Sequence, residues 1–427
     1  MINDPRSQYT DSVHFYGKTN PGVLLRAFGS PLYVYNENVL RERCRTLKGL
    51  STLPGFAVNY SVKANANIFL LRILKEEGLV VDAMSPGELY MDKLAGFSPE
   101  EILYISNNNS EGEMANALSH GLLISVDSLS QLERFGRIAR GGKVMVRLNP
   151  GIGAGHSSKV VTGGKKTKFG IPLDAMGEVF ALTRRFSLTL AGINQHIGSL
   201  FMKADDYLDA AKVLLDQVDS LPDDIRGGLE VIDFGGGFGI PYHKYDGEAP
   251  LDMAALGKKF HSLICSWSEK SGYRGRFLVE PGRFVAAECG VLLGRVEAVK
   301  TNAGNHFAGT DIGFNVLMRP VLYDSYHDVE IYRPDGSGFD EKPLVQTITG
   351  NVCESGDILA KERELPVMRE GDIVAILDAG AYGYSMASTY NERQRPAEVL
   401  IQKDGTAKLI RKRESLVDLA RGYEGLI

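Results

Sequence analysis

Several residues in this chain stand where their chemistry would be useful. Lys63 ends the apolar run Phe56–Val62, and His196 lies at the end of Leu190–Ile197, just ahead of Gly198-Ser199. The glycines Gly235, Gly236 and Gly237 follow Glu230–Phe234, and Glu280-Pro281-Gly282-Arg283 follows Arg276–Val279. Alternation along the first run puts Ala57, Asn59, Ser61 and Lys63 on one face. A lysine on that small, polar face would be partly desolvated, which lowers its pKa and suits Schiff-base chemistry. A glycine run leaves backbone N–H groups free to close around an anion, and Arg283 adds a fork that matches phosphate. A carboxylate such as Glu280 beside a pyridine nitrogen would keep that nitrogen protonated.

Each of these residues also has an ordinary reading. A strand-end lysine often snorkels, glycines serve turns, a buried glutamate often sits in a salt bridge, and a core histidine can simply be satisfied. Taken together on one face, they suit pyridoxal phosphate better than a metal or a nicotinamide. No G-x-G-x-x-G opens a helix after the first strand. Cys44, Cys265, Cys289 and Cys353 form no C-x-x-C pair and have no paired histidine spacing, so no metal site is expected.

These residues need a scaffold that gathers strand ends. Eight apolar runs alternate with helical patterns: Phe56–Val62, Leu79–Met84, Ile102–Ile105, Leu122–Val126, Lys143–Leu148, Leu190–Ile197, Glu230–Phe234 and Arg276–Val279. Ile68–Glu77, Glu113–Ser119, Leu129–Ala139 and Ala204–Val218 read as helices between them. This is the rhythm of an α/β chain folding as a (β/α)8 TIM-like barrel, whose catalytic groups come from the C-terminal strand ends. Beyond Cys289 the rhythm changes to strands separated by turns, at Val291–Lys300, Val329–Tyr332, Val345–Thr349, Ile373–Leu377, Ala397–Gln402 and Ala407–Arg411. Pro31–Tyr35 also reads as a strand. We therefore expect a barrel over residues 40–290, and a mainly antiparallel β-sheet domain built from residues 1–39 and 291–427.

The 427 residues exceed one typical core, and the 44% hydrophobic and 24% charged content is that of a globular protein. A net charge of -5 gives no field for nucleic acid or an anionic membrane, and no apolar run is long enough to span a bilayer. Lys165-Lys166-Thr167-Lys168 and Arg411-Lys412-Arg413 read as solvated surface. Few cysteines and no apolar leader point to a cytoplasmic protein.

Six motifs occur together and in order: Tyr60-Ser61-Val62-Lys63-Ala64-Asn65, His196-Ile197-Gly198-Ser199, Gly235-Gly236-Gly237, Glu280-Pro281-Gly282-Arg283, Cys353-Glu354-Ser355-Gly356-Asp357 and Gly380-Ala381-Tyr382. From about Pro31 to Leu400 the chain resembles the alanine-racemase-fold pyridoxal-phosphate decarboxylases, and within them the diaminopimelate decarboxylase family. The resemblance implies decarboxylation of meso-2,6-diaminopimelate to L-lysine, the last step of lysine biosynthesis. The alternative is action on another basic amino acid, such as D- or L-lysine, ornithine or arginine.

The same resemblance implies residue roles. Lys63 would hold the cofactor covalently, His196 would stack on its ring, and Glu280 would pair with its nitrogen. Ser199, Gly235, Gly236, Gly237, Gly282 and Arg283 would bind the phosphate, which Tyr382 would also reach. Arg283, Arg319, Tyr323, Glu354 and Tyr382 would hold the amino-acid substrate, and Cys353 would return a proton to carbon. The Cys353-Glu354 pair would reach the neighbouring subunit's cofactor, implying a homodimer with shared sites. A substrate with a second carboxylate needs arginine at its far end, whereas Arg319 would be an unpaired charge in a pocket for ornithine or lysine. Departures from the family pattern are Leu200 where glutamine is expected, Met84-Ser85-Pro86, and the stretch Gly151–Thr162.

Overall fold

A computed structural model describes residues 8–151, 154–155 and 167–426, so most of the Gly151–Thr162 stretch, and Lys165 and Lys166, lie outside the described residues. The chain divides into two compact units. One is Arg41–Ile240 with Pro250–Val285; the other takes the chain up to Leu40, the excursion Pro241–Ala249, and everything from Ala286 onward.

The first unit is a closed barrel of eight parallel strands: Phe56–Tyr60, Val80–Ala83, Ile102–Ile105, Leu123–Val126, Lys143–Asn149, Thr189–Gln195, Val231–Asp233 and Arg276–Val279. Each pairs with its neighbour in sequence, and the eighth pairs with the first through Val279 and Val58. All eight sequence-read strands are present, shifted by two residues or fewer at most ends. Inside lie Leu103, Ile105, Met145, Val231 and Leu278. A Cβ at Gly192 would stand 2.5 Å from the Met145 side chain, so a glycine here lets methionine fill the barrel.

The surrounding helices start on side-chain caps, which accept from the exposed first-turn N–H groups. Asn67 caps Ile68–Glu76, Ser128 caps Leu129–Ile138, and Asp252 caps Met253–Ser271. Met84-Ser85-Pro86 is explained the same way: Ser85 caps Pro86–Ala95, and Pro86 takes the first-turn position where no N–H is needed.

The second unit is a mixed sheet, mainly antiparallel. Leu32–Asn36 pairs antiparallel with Gly290–Asn302 and parallel with Ala397–Ile401. The long Gly290–Asn302 strand also pairs with Ile373–Ile376 and turns through Ala303-Gly304 into Asn305–Thr310. Its core packs Phe15, Leu24, Leu32, Val291, Ile373 and Val399. Asn305–Thr310 and Ile358–Leu365 were not marked as strands by the pattern. The second is an outer strand whose Lys361 and Glu362 are exposed, so it carries no apolar alternation to read. Arg411 and Arg413, expected in solvent, are instead tied to Glu398 and to the Pro31 carbonyl.

One buried group makes stability depend on pH. Asp92, on the helix Pro86–Ala95, has no exposed surface, and neither of its carboxylate oxygens has a hydrogen-bond partner. Burial, reinforced by Asp82 and Glu88, pushes its pKa up to about 9. The native state keeps this proton while the unfolded chain releases it, so stability falls as pH rises from the ordinary aspartate range toward 9. Asp92→Asn is expected to add on the order of 2 kcal/mol at pH 8 and little at pH 4, read from thermal unfolding at both values.

Candidate active site

At the C-terminal ends of the barrel strands the chain gathers charge. Lys63 lies just past the first strand, on the short 3-10 turn Val62–Ala64. The turn is held from both sides: Val62 N–H donates to Asp82 Oδ1 at 3.0 Å, and Ser61 N–H donates to the Pro281 carbonyl at 3.1 Å. The strand stops at Tyr60, so the alternation that would bury Lys63 stops too, and its side chain is exposed rather than desolvated.

Glu280 and Asp233 are buried at the ends of the eighth and seventh strands. Burial raises the pKa of both; Asp233 raises that of Glu280 further, while the Gly235 N–H and Glu280 hold that of Asp233 down. Lys63 and Arg147 oppose the rise at Glu280. Asp82, also fully buried, is raised chiefly by burial. Glu280 Oε1 has no N–H or O–H donor within reach.

His196 shows how the same field selects a tautomer. Burial, then the charges of Lys63 and Arg147, hold it well below the usual histidine range. Its Nδ1 accepts the Gly236 N–H at 3.1 Å, so the neutral ring carries its proton on Nε2. The 4.0 Å approach of Nδ1 to Glu280 is therefore a contact between neutral groups and not an ion pair.

The glycines are required by backbone crowding. A Cβ at Gly236 would stand 1.8 Å from the Glu280 carbonyl, and one at Gly235 2.1 Å from the Gln195 carbonyl. Gly235 and Gly237 also have φ of 72° and 108°. Asp233 Oδ1 accepts the Gly235 N–H at 2.9 Å, which bends the chain into the loop. Arg283, after Gly282, donates to Ser199 Oγ at 2.9 Å, so two of the expected phosphate ligands already touch. A side-chain-free loop, an arginine–serine pair and a buried carboxyl with an unmet oxygen fit a phosphate-bearing pyridine.

The sheet unit carries the other candidates. Arg319 opens the helix Arg319–Tyr323 and is 2% exposed, while Tyr323 is half-buried. Cys353 and Glu354 are exposed. The Cys353 N–H donates to Asn391 Oδ1 at 2.8 Å, and Tyr390 Oη donates to Glu354 at 2.6 Å. Buried Asp357 shapes this loop by accepting from the Val352 and Phe314 N–H groups, both at 2.7 Å. Tyr382 is half-buried with φ of 57°, following Gly380, where a Cβ would stand 1.9 Å from the Ala286 carbonyl.

Asp82 and Arg147 stand out at strand ends in the sequence, and Asp233 just ahead of the glycine run, but the sequence reading gave none of them a role in the site. Gly236→Ala is expected to move the loop, lower the melting temperature and cut loading of a phosphate-bearing cofactor by at least roughly tenfold, one anion contact's worth. Cofactor absorbance and thermal unfolding check it.

Comparison with known proteins agrees with this geometry. Residues 38–287 match the family described as pyridoxal-dependent decarboxylase, pyridoxal binding domain. The chain is 40% identical to the diaminopimelate decarboxylase of Methanothermobacter thermautotrophicus, over 98% of this chain and 97% of that one. It is 34% identical to that of Aquifex aeolicus, over 96% of each. The crystal structure of diaminopimelate decarboxylase from Helicobacter pylori, complexed with L-lysine, superposes with a TM-score of 0.86 at 28% identity, covering 96% of this chain and all of that one. With this likeness along nearly its whole length, the chain belongs to the diaminopimelate decarboxylase family of pyridoxal-dependent decarboxylases.

Proposed function

We propose that this enzyme removes the carboxyl group from meso-2,6-diaminopimelate, giving L-lysine and carbon dioxide, the last step of lysine biosynthesis. The observation that carries the reading is Arg319, a buried guanidinium whose fork suits a second carboxylate, on a chain that keeps the lysine, glutamate and cysteine of the family.

Bound pyridoxal phosphate supplies an electron sink for the pair left behind when carbon dioxide departs. The protein's part is to place groups and protons around it. Lys63 Nζ, exposed on its turn, is the amine that would hold the cofactor. Glu280 would present its carboxyl to the pyridine nitrogen, with Arg147 favouring the carboxylate form and Asp233 disfavouring it. Neutral His196 offers a flat face with no competing positive charge. Ser199, Gly235, Gly236, Gly237, Gly282 and Arg283 hold the phosphate, together with Tyr382. Arg283, Arg319 and Tyr323 take the distal carboxylate, and Glu354 takes the distal amine.

Cys353 gives the Sγ proton to the carbon that lost its carboxylate. Because Cys353 and Glu354 stand exposed on an ordered loop, they are free to serve a neighbouring copy. We therefore read the enzyme as a cytoplasmic homodimer with shared active sites.

The test is carbon dioxide release from meso-diaminopimelate beside D- and L-lysine, L-ornithine and L-arginine, with Lys63→Ala as control. Release from diaminopimelate alone, lost in the control, supports the reading; release only from another amino acid overturns it. Cys353→Ala is expected to slow turnover by about a hundredfold or more while cofactor absorbance persists. Arg319→Ala is expected to abolish use of diaminopimelate, measured as kcat/KM.

A further inference from the structure

Beside the Cys353-Glu354 loop, two consecutive residues other than glycine hold left-handed backbone. In the short 3-10 turn Tyr390–Glu392, Asn391 has φ of 56° and ψ of 26°, and Glu392 has φ of 53°. Asparagine tolerates this region because its short amide can bond locally; glutamate has no such compensation. Backbone of this kind persists where surrounding contacts impose it, and it gathers at functional sites.

The contacts that impose it lead to the Cys353-Glu354 loop. Asn391 Oδ1 accepts the Cys353 N–H at 2.8 Å, and the Tyr390 phenol donates to Glu354 Oε1 at 2.6 Å. Arg393 Nη2 donates to the Asn351 carbonyl at 2.6 Å. Residues 390, 391 and 393 thus grip residues 354, 353 and 351 in reverse order, an antiparallel clasp made by side chains. Both halves of the clasp are anchored. The Tyr390 ring stacks on Phe314, with centroids 5.6 Å apart and planes 26° from parallel. The Phe314 N–H donates to Asp357 Oδ1, and Asp357 Oδ2 accepts the Val352 N–H, so the aromatic pair and the Cys353-Glu354 loop share one buried carboxylate. Just ahead of the turn, the Ser388 N–H donates to the carbonyl of fully buried Asn315 at 2.8 Å.

The two bonds of the clasp do different work. The Asn391 bond fixes the backbone of the residue whose thiol returns a proton, so it sets where Sγ starts. The Tyr390 bond takes up Oε1 of Glu354 and so orients the plane of that carboxylate. We propose that Asn391 and Tyr390 are positioning residues, Asn391 placing Cys353 for proton return to carbon and Tyr390 placing Glu354 for the distal amine of the substrate. This rests on the roles of Cys353 and Glu354 proposed above.

The left-handed φ supplies the discriminating variant. In Asn391→Gly the backbone keeps its turn without steric cost while the acceptor is lost, and Asn391→Asp keeps the acceptor. These two and Tyr390→Phe are compared with the wild-type holoenzyme by kcat and KM on meso-diaminopimelate, the solvent deuterium isotope effect on kcat, melting temperature and cofactor absorbance. Amide exchange around Cys353 is followed in the cofactor-free protein. Asn391→Gly is expected to melt no lower than wild type and to exchange faster around Cys353. Its kcat should fall roughly tenfold or more, with KM within about twofold. The isotope effect should rise, because proton return becomes the slow step, and Asn391→Asp should restore most of kcat. Tyr390→Phe keeps the stack on Phe314 and should raise KM roughly tenfold with kcat within about twofold, the scale of one hydrogen bond to a charged group. A wild-type kcat in Asn391→Gly, or a fall that comes with lost cofactor absorbance or lower melting, overturns the role of Asn391; an unchanged KM in Tyr390→Phe overturns that of Tyr390. A wild type inert toward diaminopimelate, or a Cys353→Ala variant with full turnover, overturns the underlying reading instead, and both are seen before the clasp variants are made.

Discussion

Like charges cannot ionise together in a dry place, and the barrel end is built around that limit. Asp233, Glu280 and Asp82 end the seventh, eighth and second strands, all buried. Lys63 leaves the first strand, which lies between the eighth and the second. The pairing of Val279 with Val58 that closes the barrel is thus also what seats a cation among these acids. An open sheet of the same strands would separate Glu280 from Lys63 and leave the carboxyls facing one another alone.

The consequences run outward from that arrangement. With too few cations for full ionisation, a proton stays on Glu280, where a ring nitrogen can use it. The same positive groups keep His196 neutral, and its accepting Nδ1 then fixes the Gly236 N–H. Gly236 is so close to the Glu280 carbonyl that no side chain fits. Proton placement, ring tautomer and loop shape are one coupled arrangement, and a change at any of the three is felt by the other two.

Much of this was legible in advance. Apolar runs buried on both faces announce barrel strands, and Lys63, His196, Gly235–Gly237 and Glu280 sit where such strands end. The barrel unit does bring those residues together. Lys63 was misjudged in its burial, because alternation says nothing about where a strand stops. Asp233 and Asp82 were given no role because a single acid at a strand end has no pattern of its own; only three-dimensional closure shows that they share a field. Ile358–Leu365 was missed because an outer strand faces water and keeps no hydrophobic rhythm.

The sheet unit is assembled from three stretches of chain, and its strand Leu32–Asn36 has Ala397–Ile401 as its parallel neighbour. During synthesis the barrel strands are all available once Val279 has left the ribosome, but this early strand must wait for Ala397–Ile401. Until then its Tyr33, Val34 and Tyr35, fully buried in the finished protein, have no permanent cover on that side. Between its own synthesis and that of Ala397–Ile401 the strand keeps one edge open, a period in which chaperone shielding would matter more than it does for the barrel that follows.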